Sequence, residues 1–310
     1  MTKVFIDGSQ GTTGLKIFDR LKSRADIELI TLPEDLRKDT AARKQALNSA
    51  DIAFLCLPDA AAVEAVSLIE NENTVVIDTS TAHRTNEAFA YGFPELSESL
   101  AEKLQNSKRI AVPGCYASGF IALVKPLVDA GFVSPDHGFM CHAASGYSGA
   151  GKKGIAQYED AERDTSLDAP REYALTQEHK HLKEMRIISG LSATPIFCPY
   201  ICDYFSGMLV TVPIFKSDLQ NGKTAEDIKN LYREKYNTAI VQYKDCMDEA
   251  GFLCANAKSE YDNMEITVCG NDERILLLAR YDNLGKGASG AALECMNIKM
   301  GLPAEFGLNI

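Results

Sequence analysis

The chain has no tryptophan, only five histidines, and no C-x-x-C pair among nine scattered cysteines. Each scarcity closes a class of function. Cys198 and Cys202 form an isolated C-x-x-x-C with no second pair or His spacing to complete it, so no metal site is expected. An odd number of scattered thiols points to reduced cysteines and a cytoplasmic location rather than a disulfide scaffold. No apolar run is long enough to span a bilayer. Met1 to Gly8 runs directly into a strand, so neither a signal peptide nor an anchor is expected. Positive charge is also in short supply: 32 Lys and Arg stand against 43 Asp and Glu, a formal net charge of −11. A nucleic-acid partner would need a basic face. A small anion is compatible with this balance, because a few local cations bind one against the overall field. Repeats and low-complexity linkers are absent too.

What is present fits two domains. At 310 residues, 45% hydrophobic, the chain is long for one core. Residues 1–110 alternate short apolar runs with helical patterns. Val4-Phe5-Ile6, Ile27 to Leu32, Ile52 to Leu57 and Val75 to Asp78 read as buried strands. Leu15 to Leu21 (Leu15, Phe18 and Leu21 inward) and Ala60 to Ile69 read as helices. Continuous apolar strands separated by helices predict a doubly wound, Rossmann-like α/β domain with a parallel sheet. Ligands of such a sheet lie at the carboxyl ends of its strands. Beyond about residue 130 the pattern becomes mixed α+β. His137 to Ser145, Met208 to Phe215 and Ile275 to Ala279 read as strands. Ala225 to Tyr236 reads as a helix with Ile228 and Leu231 inward. The expected division is a dinucleotide-binding domain, 1–114, with a C-terminal helix in 285–310 packing back on it, and a catalytic and oligomerisation domain, 115–284.

Gly8-Ser9-Gln10-Gly11-Thr12-Thr13-Gly14 follows the first strand and opens a helix. Its glycines let the backbone approach a pyrophosphate, whose charge the helix N-terminus stabilises. An ordinary βα turn is the plainer alternative. After the second strand, Glu34 and Asp35 favour a free ribose hydroxyl, whereas Arg37, Lys38 and Arg43 favour a 2′-phosphate. The balance leans to NADP. Pro58 and Ser80, just past strand ends, and Asn283, in the Gly-rich Asp282 to Gly290 stretch, complete the expected cofactor set.

Cys115 follows Pro113-Gly114 and precedes the apolar run Phe120 to Val124, which places it at a helix N-terminus. There unpaired N–H groups favour a thiolate and are able to cradle an oxyanion. His179-Lys180-His181 offers a base for that thiol; the residue pattern does not choose between the two histidines. A solvated helix start is the plainer reading of that triplet. Ser145 to Lys153 reads as a Gly-rich loop in which Ser148, Gly149, Lys152 and Lys153 meet an anion, with a flexible hairpin as the alternative. Arg84, in Asp78 to Arg84, is a candidate carboxylate or phosphate clamp.

Taken in order, these segments, with Cys56-Leu57-Pro58-Asp59 and Tyr91-Gly92-Phe93-Pro94-Glu95, resemble the N-acetyl-gamma-glutamyl-phosphate reductases, in their shorter bacterial form, over nearly the whole chain. The resemblance implies a semialdehyde-dehydrogenase type of fold, a catalytic Cys115, an acid/base histidine at 179 or 181, and NADPH as reductant. It also implies a small-molecule acyl phosphate as substrate and a homodimer or homotetramer. The expected reaction is reduction of N-acetylglutamyl 5-phosphate to the 5-semialdehyde through a thioester on Cys115, in arginine biosynthesis. Two departures are visible. Val112 stands where many members carry Asn, and Lys183 replaces a proline after the His pair. Alternative readings are a neighbouring acyl phosphate (aspartyl or aminoadipyl) as substrate, or an NADP-sensing protein without catalysis.

Overall fold

A computed structural model describes residues 1–310. The chain divides into two compact units, Met1–Pro113 with Ala291–Phe306, and Gly114–Gly290 with Gly307–Ile310.

The first unit carries β1 (Thr2–Asp7), α1 (Thr12–Leu21), β2 (Ile27–Ile30), α2 (Thr40–Ser49), β3 (Ile52–Leu55), α3 (Asp59–Ser67), β4 (Val75–Asp78), β5 (Ala90–Tyr91), α4 (Glu98–Asn106) and β6 (Arg109–Ala111). Six strands pair in the order β2-β1-β3-β4-β6-β5, every pair parallel. Strand order reverses at β1, so the ligand crevice falls at its carboxyl end, where Gly8 begins the Gly-rich turn. Ile52 to Leu55 is buried throughout, as a strand covered on both faces requires. Phe5, Leu47, Leu55 and Val76 share one core cluster. Fully burying each such side chain contributes roughly 1.5–3 kcal/mol.

One helix face differs from the reading above. Gly14, Ile17 and Leu21 are the buried residues of α1, whereas Leu15 is 42% exposed. A Cβ on Gly14 would come within 2.4 Å of the Gly8 carbonyl oxygen. The missing side chain thus lets α1 sit close on the turn, and this rotates Leu15 and Phe18 toward the cavity described below.

The second unit contains α5 (Cys115–Asp129), β7 (Met140–Gly146), α6 (Gly151–Glu159), β8 (Arg171–Glu172), α7 (His181–Ile188), β9 (Ile196–Cys202), β10 (Met208–Phe215), α8 (Ala225–Lys235), β11 (Val241–Tyr243), β12 (Met264–Gly270) and β13 (Arg274–Tyr281). A π-helical turn, Gly285–Ser289, leads into α9 (Gly290–Lys299). From Ala291 this helix belongs to the first unit, while 285–290 and the tail 307–310 stay with the second. The seven-stranded mixed sheet runs β11-β12-β13-β10-β7-β9-β8. Its inner face packs on α5, which is buried along most of its length.

Pro126 lies inside α5 and cannot donate to the carbonyl of Ala122. The Tyr236 hydroxyl supplies that donor at 2.6 Å, and Tyr232 donates to the neighbouring Leu123 carbonyl. An unmet buried carbonyl would cost about 1–3 kcal/mol. These two tyrosines and Ile228 are the inward residues of the α8 region, and Leu231 is only partly buried. The helical period is as expected; the demand of a proline in another helix decides the face.

Segment 145–153 is not a loop or hairpin. Gly146, Tyr147 and Ser148 hydrogen-bond the backbone of 204–207, and Gly151 opens α6.

Candidate active site

In the first unit the carboxyl ends of β1, β2 and β3 enclose a cavity of about 870 Å³, a size suited to a cofactor. Gly8, Ser9, Gln10, Gly11 and Pro58 line it, as do Arg37 and Lys38. Gly8 has φ +86, and a Cβ there would meet the Cys56 carbonyl oxygen at 2.3 Å, so only glycine fits. Gly11 caps α1 with no side-chain hydrogen bond to the first turn, leaving those N–H groups to an anion. Thr12, Thr13 and Gly14 form the first turn of α1 itself.

The basic residues after β2 separate into two kinds. Arg43 is buried and forked onto Asp7 (3.1 and 3.0 Å) and Glu64 (2.8 Å), tying α2 and α3 to β1. Burial pushes the Asp7 carboxyl up despite the opposing guanidinium. Arg37 and Lys38 line the cavity together with Glu34 and Asp35, and Arg43 also reaches its wall while its guanidinium is held by Asp7 and Glu64.

Ser80 is engaged within its own turn. Its hydroxyl and N–H both bond the Asp78 carboxylate, at 2.8 and 2.9 Å. His83 meets the same carboxylate at 2.6 Å and stacks on Phe89. The short Asp side chain closes the turn onto itself, so Ser80 does not line the cavity. Arg84 is buried and donates to the carbonyls of Val112 (2.9 Å) and Thr79 (2.9 Å), joining the ends of β6 and β4.

In the second unit Cys115 is the first residue of α5, with Gly114 as N-cap. The Gly114 N–H donates to Glu184 Oε1 at 2.8 Å, a buried carboxylate in the first turn of α7. Ser118 returns its hydroxyl to the Gly114 carbonyl at 3.0 Å. Gly287, in the π-helical turn, approaches so closely that a Cβ would lie 3.0 Å from that of Cys115.

Tyr116 gathers the histidines. Its ring is 6.1 Å from His179 and 5.9 Å from His181, and the two imidazoles are 4.7 Å apart. Phe197 and Tyr173 pack on His179. The His181 N–H donates to His179 Nδ1 at 3.2 Å, so neutral His179 carries its proton on Nε2. Burial, with a further contribution from a Cys115 thiolate, raises the hydroxyls of Tyr116, Tyr173 and Tyr281 above the usual range. They stay protonated beside the thiol.

Several other thiols are held back by burial. Burial pushes Cys56 up to about 12 and raises Cys141, Cys198, Cys202 and Cys269. Asn283 has both ends of its amide engaged: it accepts from the Gly207 N–H (3.0 Å) and donates to the Ser148 hydroxyl (2.9 Å). That hydroxyl keeps its own proton to donate. Gly149 is exposed beside Ser148, and Lys152 and Lys153 are exposed in the first turn of α6. No group of three or more side chains is placed to hold a metal ion.

Sequence reasoning missed Glu184, Tyr281 and Gly287. Glu184 had a signal, because it lies three residues after His181 on one helix face. The other two are brought to Cys115 only by tertiary packing.

Residues 3–104 match the semialdehyde dehydrogenase NAD binding domain, and residues 115–283 the semialdehyde dehydrogenase dimerisation domain. A protein of Nostoc sp. named N-acetyl-gamma-glutamyl-phosphate reductase 2 is 42% identical, covering 99% of each chain. An N-acetyl-gamma-glutamyl-phosphate reductase of Burkholderia cenocepacia is 43% identical over 96% of this chain and 97% of its own. Among solved structures, aspartate semialdehyde dehydrogenase II of Vibrio cholerae superposes with a TM-score of 0.69 at 16% identity, covering 97% of this chain and 98% of its own. The aspartate semialdehyde dehydrogenase of Candida albicans with NADP gives 0.69 at 15%, covering 96% and 98%. These two share the fold.

Proposed function

Because the chain belongs to the N-acetyl-gamma-glutamyl-phosphate reductase family, within the semialdehyde dehydrogenases, we propose that it reduces N-acetylglutamyl 5-phosphate to N-acetylglutamate 5-semialdehyde and phosphate, a step of arginine biosynthesis, with Cys115 as nucleophile. The observation that carries the reading is the start of α5. Glu184 holds its N-cap, and Tyr116 packs both histidines beside it.

Cys115 gives up its proton and its sulfur attacks the acyl carbon. N–H groups of the first turn of α5 hold the oxyanion. The carbon–oxygen bond to phosphate then breaks, phosphate leaves, and a thioester remains on Cys115. NADPH, when bound, supplies the hydride that reduces the thioester carbon. The carbon–sulfur bond breaks last, the aldehyde leaves, and Cys115 recovers its charge. We assign the proton transfers to His181. It shares the first turn of α7 with Glu184, the side chain that grips the Cys115 turn, and the i, i+3 spacing puts both on one face. His179, with Nδ1 held by the His181 backbone, orients the pair. The proposed substrate contacts are Arg84, Ser148, Gly149, Lys152 and Lys153.

For the cofactor, the Gly8 to Gly14 turn fits a dinucleotide, because its glycines leave room that a Cβ would fill. Arg37 and Lys38 favour the 2′-phosphate of NADPH. Replacing both with Ala is expected to raise the KM for NADPH about 10- to 100-fold, a loss of two charge-assisted contacts, with little change for NADH. Parallel titrations with the two cofactors measure it.

The outer face of the seven-stranded sheet supports the oligomer. Leu209, Thr211, Pro213 and Phe215 alternate with the buried residues of β10, and Met140, Ile196 and Leu276 are exposed on neighbouring strands. We assign this face to contact between copies in a homodimer or homotetramer. Leu209→Glu is then expected to shift the protein to monomers in sedimentation at micromolar concentration. Nine free cysteines accord with a reducing cytoplasm.

The test is NADP⁺ reduction with N-acetylglutamate 5-semialdehyde and phosphate, followed while Cys115 is alkylated. Phosphate-dependent turnover that disappears in step with labelling is expected. Turnover on aspartate semialdehyde alone would replace the substrate, and full turnover after labelling would remove the covalent step.

A further inference from the structure

The first turn of α5 carries a clamp that the chemistry above does not explain. Tyr281 is the last residue of β13 and is completely buried. Its hydroxyl donates to the Cys115 carbonyl at 2.5 Å and accepts from the Gly119 N–H at 3.0 Å. Cys115 and Gly119 are the i, i+4 pair of a helical rung. One phenol therefore lies across that rung from outside the helix. Burial raises its pKa above the ordinary tyrosine value, so it is a neutral donor at neutral pH.

Gly119 is shaped for this clamp. A Cβ there would lie 2.7 Å from the Tyr281 hydroxyl oxygen, 2.9 Å from its ring and 2.7 Å from Val210. The glycine has an ordinary place in the interior of a helix, where it costs roughly 0.5–1 kcal/mol against Ala; the approach of Tyr281 accounts for it. Gly287 also packs close to the Cβ of Cys115. The residue is thus held at its carbonyl by Tyr281, at its Cβ by Gly287, and through its N-cap by Glu184.

We propose that Tyr281 is a positioning residue for the nucleophile. Its hydroxyl pins the first turn of α5 to the sheet and donates to the Cys115 carbonyl. That withdraws negative partial charge from beside the thiolate and keeps the thiol and the N–H groups aimed at the same reacting carbon. The proposal rests on Cys115 being the nucleophile.

Tyr281→Phe keeps the ring and removes the clamp. The expected result is a kcat about 10- to 100-fold lower with KM nearly unchanged, as for a misplaced nucleophile. Alkylation of Cys115 by iodoacetamide should slow at neutral pH, with its pH midpoint displaced upward. Gly119→Ala attacks the same contact from the helix side and serves if Tyr281→Phe does not fold. The two together should be no worse than the more damaging single change, because they break one interaction. A folded Tyr281→Phe or Gly119→Ala protein with wild-type kcat and a wild-type alkylation profile overturns the proposal. If alkylation of the wild-type protein leaves turnover intact, the failure belongs to the nucleophile assignment. If it abolishes turnover and both variants behave as wild type, the failure belongs to Tyr281 alone.

Discussion

Cys115→Ser is expected to abolish turnover while leaving NADPH binding unchanged. A helix N-terminus and a nearby histidine can generate a thiolate from a group whose ordinary pKa is about 8.5. They cannot do the same for an unactivated serine hydroxyl, and the mutant keeps the shape of the site. The loss should exceed the roughly 10² to 10⁴ typical of removing a general acid or base. Cofactor binding should persist because the cavity is lined by Gly8, Gly11, Arg37 and Lys38 of the first unit, a unit that does not include Cys115. NADPH fluorescence titration, run beside a coupled assay, measures both. Turnover within tenfold of wild type would refute covalent catalysis by this residue.

His181→Asn should lower kcat about 10² to 10⁴-fold. The side chain is buried at the start of α7, and Asn retains a polar group there without a titrating nitrogen. The limb of the pH–rate profile that reports deprotonation of the base should vanish. Cys115 should react more slowly with iodoacetamide, since its proposed base is gone. His179→Asn should be milder: its Nδ1 accepts from the His181 backbone, and an Asn oxygen can take over part of that contact. Paired pH profiles distinguish the two. If His179→Asn carries the large loss and His181→Asn the small one, the assignment made from the Glu184 face is wrong.

Some of this was legible along the chain because it depends on local rules. The Gly-rich turn after β1 was readable since glycine alone tolerates φ +86 at Gly8 and lets Gly14 approach it. The helix start at Cys115 was readable since Pro-Gly ahead of an apolar run marks a boundary. The strands Val75–Asp78 and Met208–Phe215 run as expected. Ser80 and Asn283 were less transparent. Each sits at a strand end or turn where a ligand contact is plausible, yet a neighbouring carboxylate takes Ser80, and Ser148 with Gly207 takes Asn283. Arg43 reads like Arg37 along the chain and lines the same cavity, but Asp7 and Glu64 take its guanidinium.

By itself the sequence determined the alternation of strand and helix, the parallel first sheet, the turn for a dinucleotide and the place of Cys115 at the start of its helix. Those follow from periodicity, glycine conformation and end effects that act within a few residues. Only the tertiary structure decided which faces are buried, which polar groups are already taken, and which distant residues hold Cys115. Glu184 lies 70 residues from Gly114 and Tyr281 166 from Cys115. Such pairs are chosen by where the β13 sheet and α7 pack against α5, where each buried donor and acceptor must find a partner, and no local spacing encodes that.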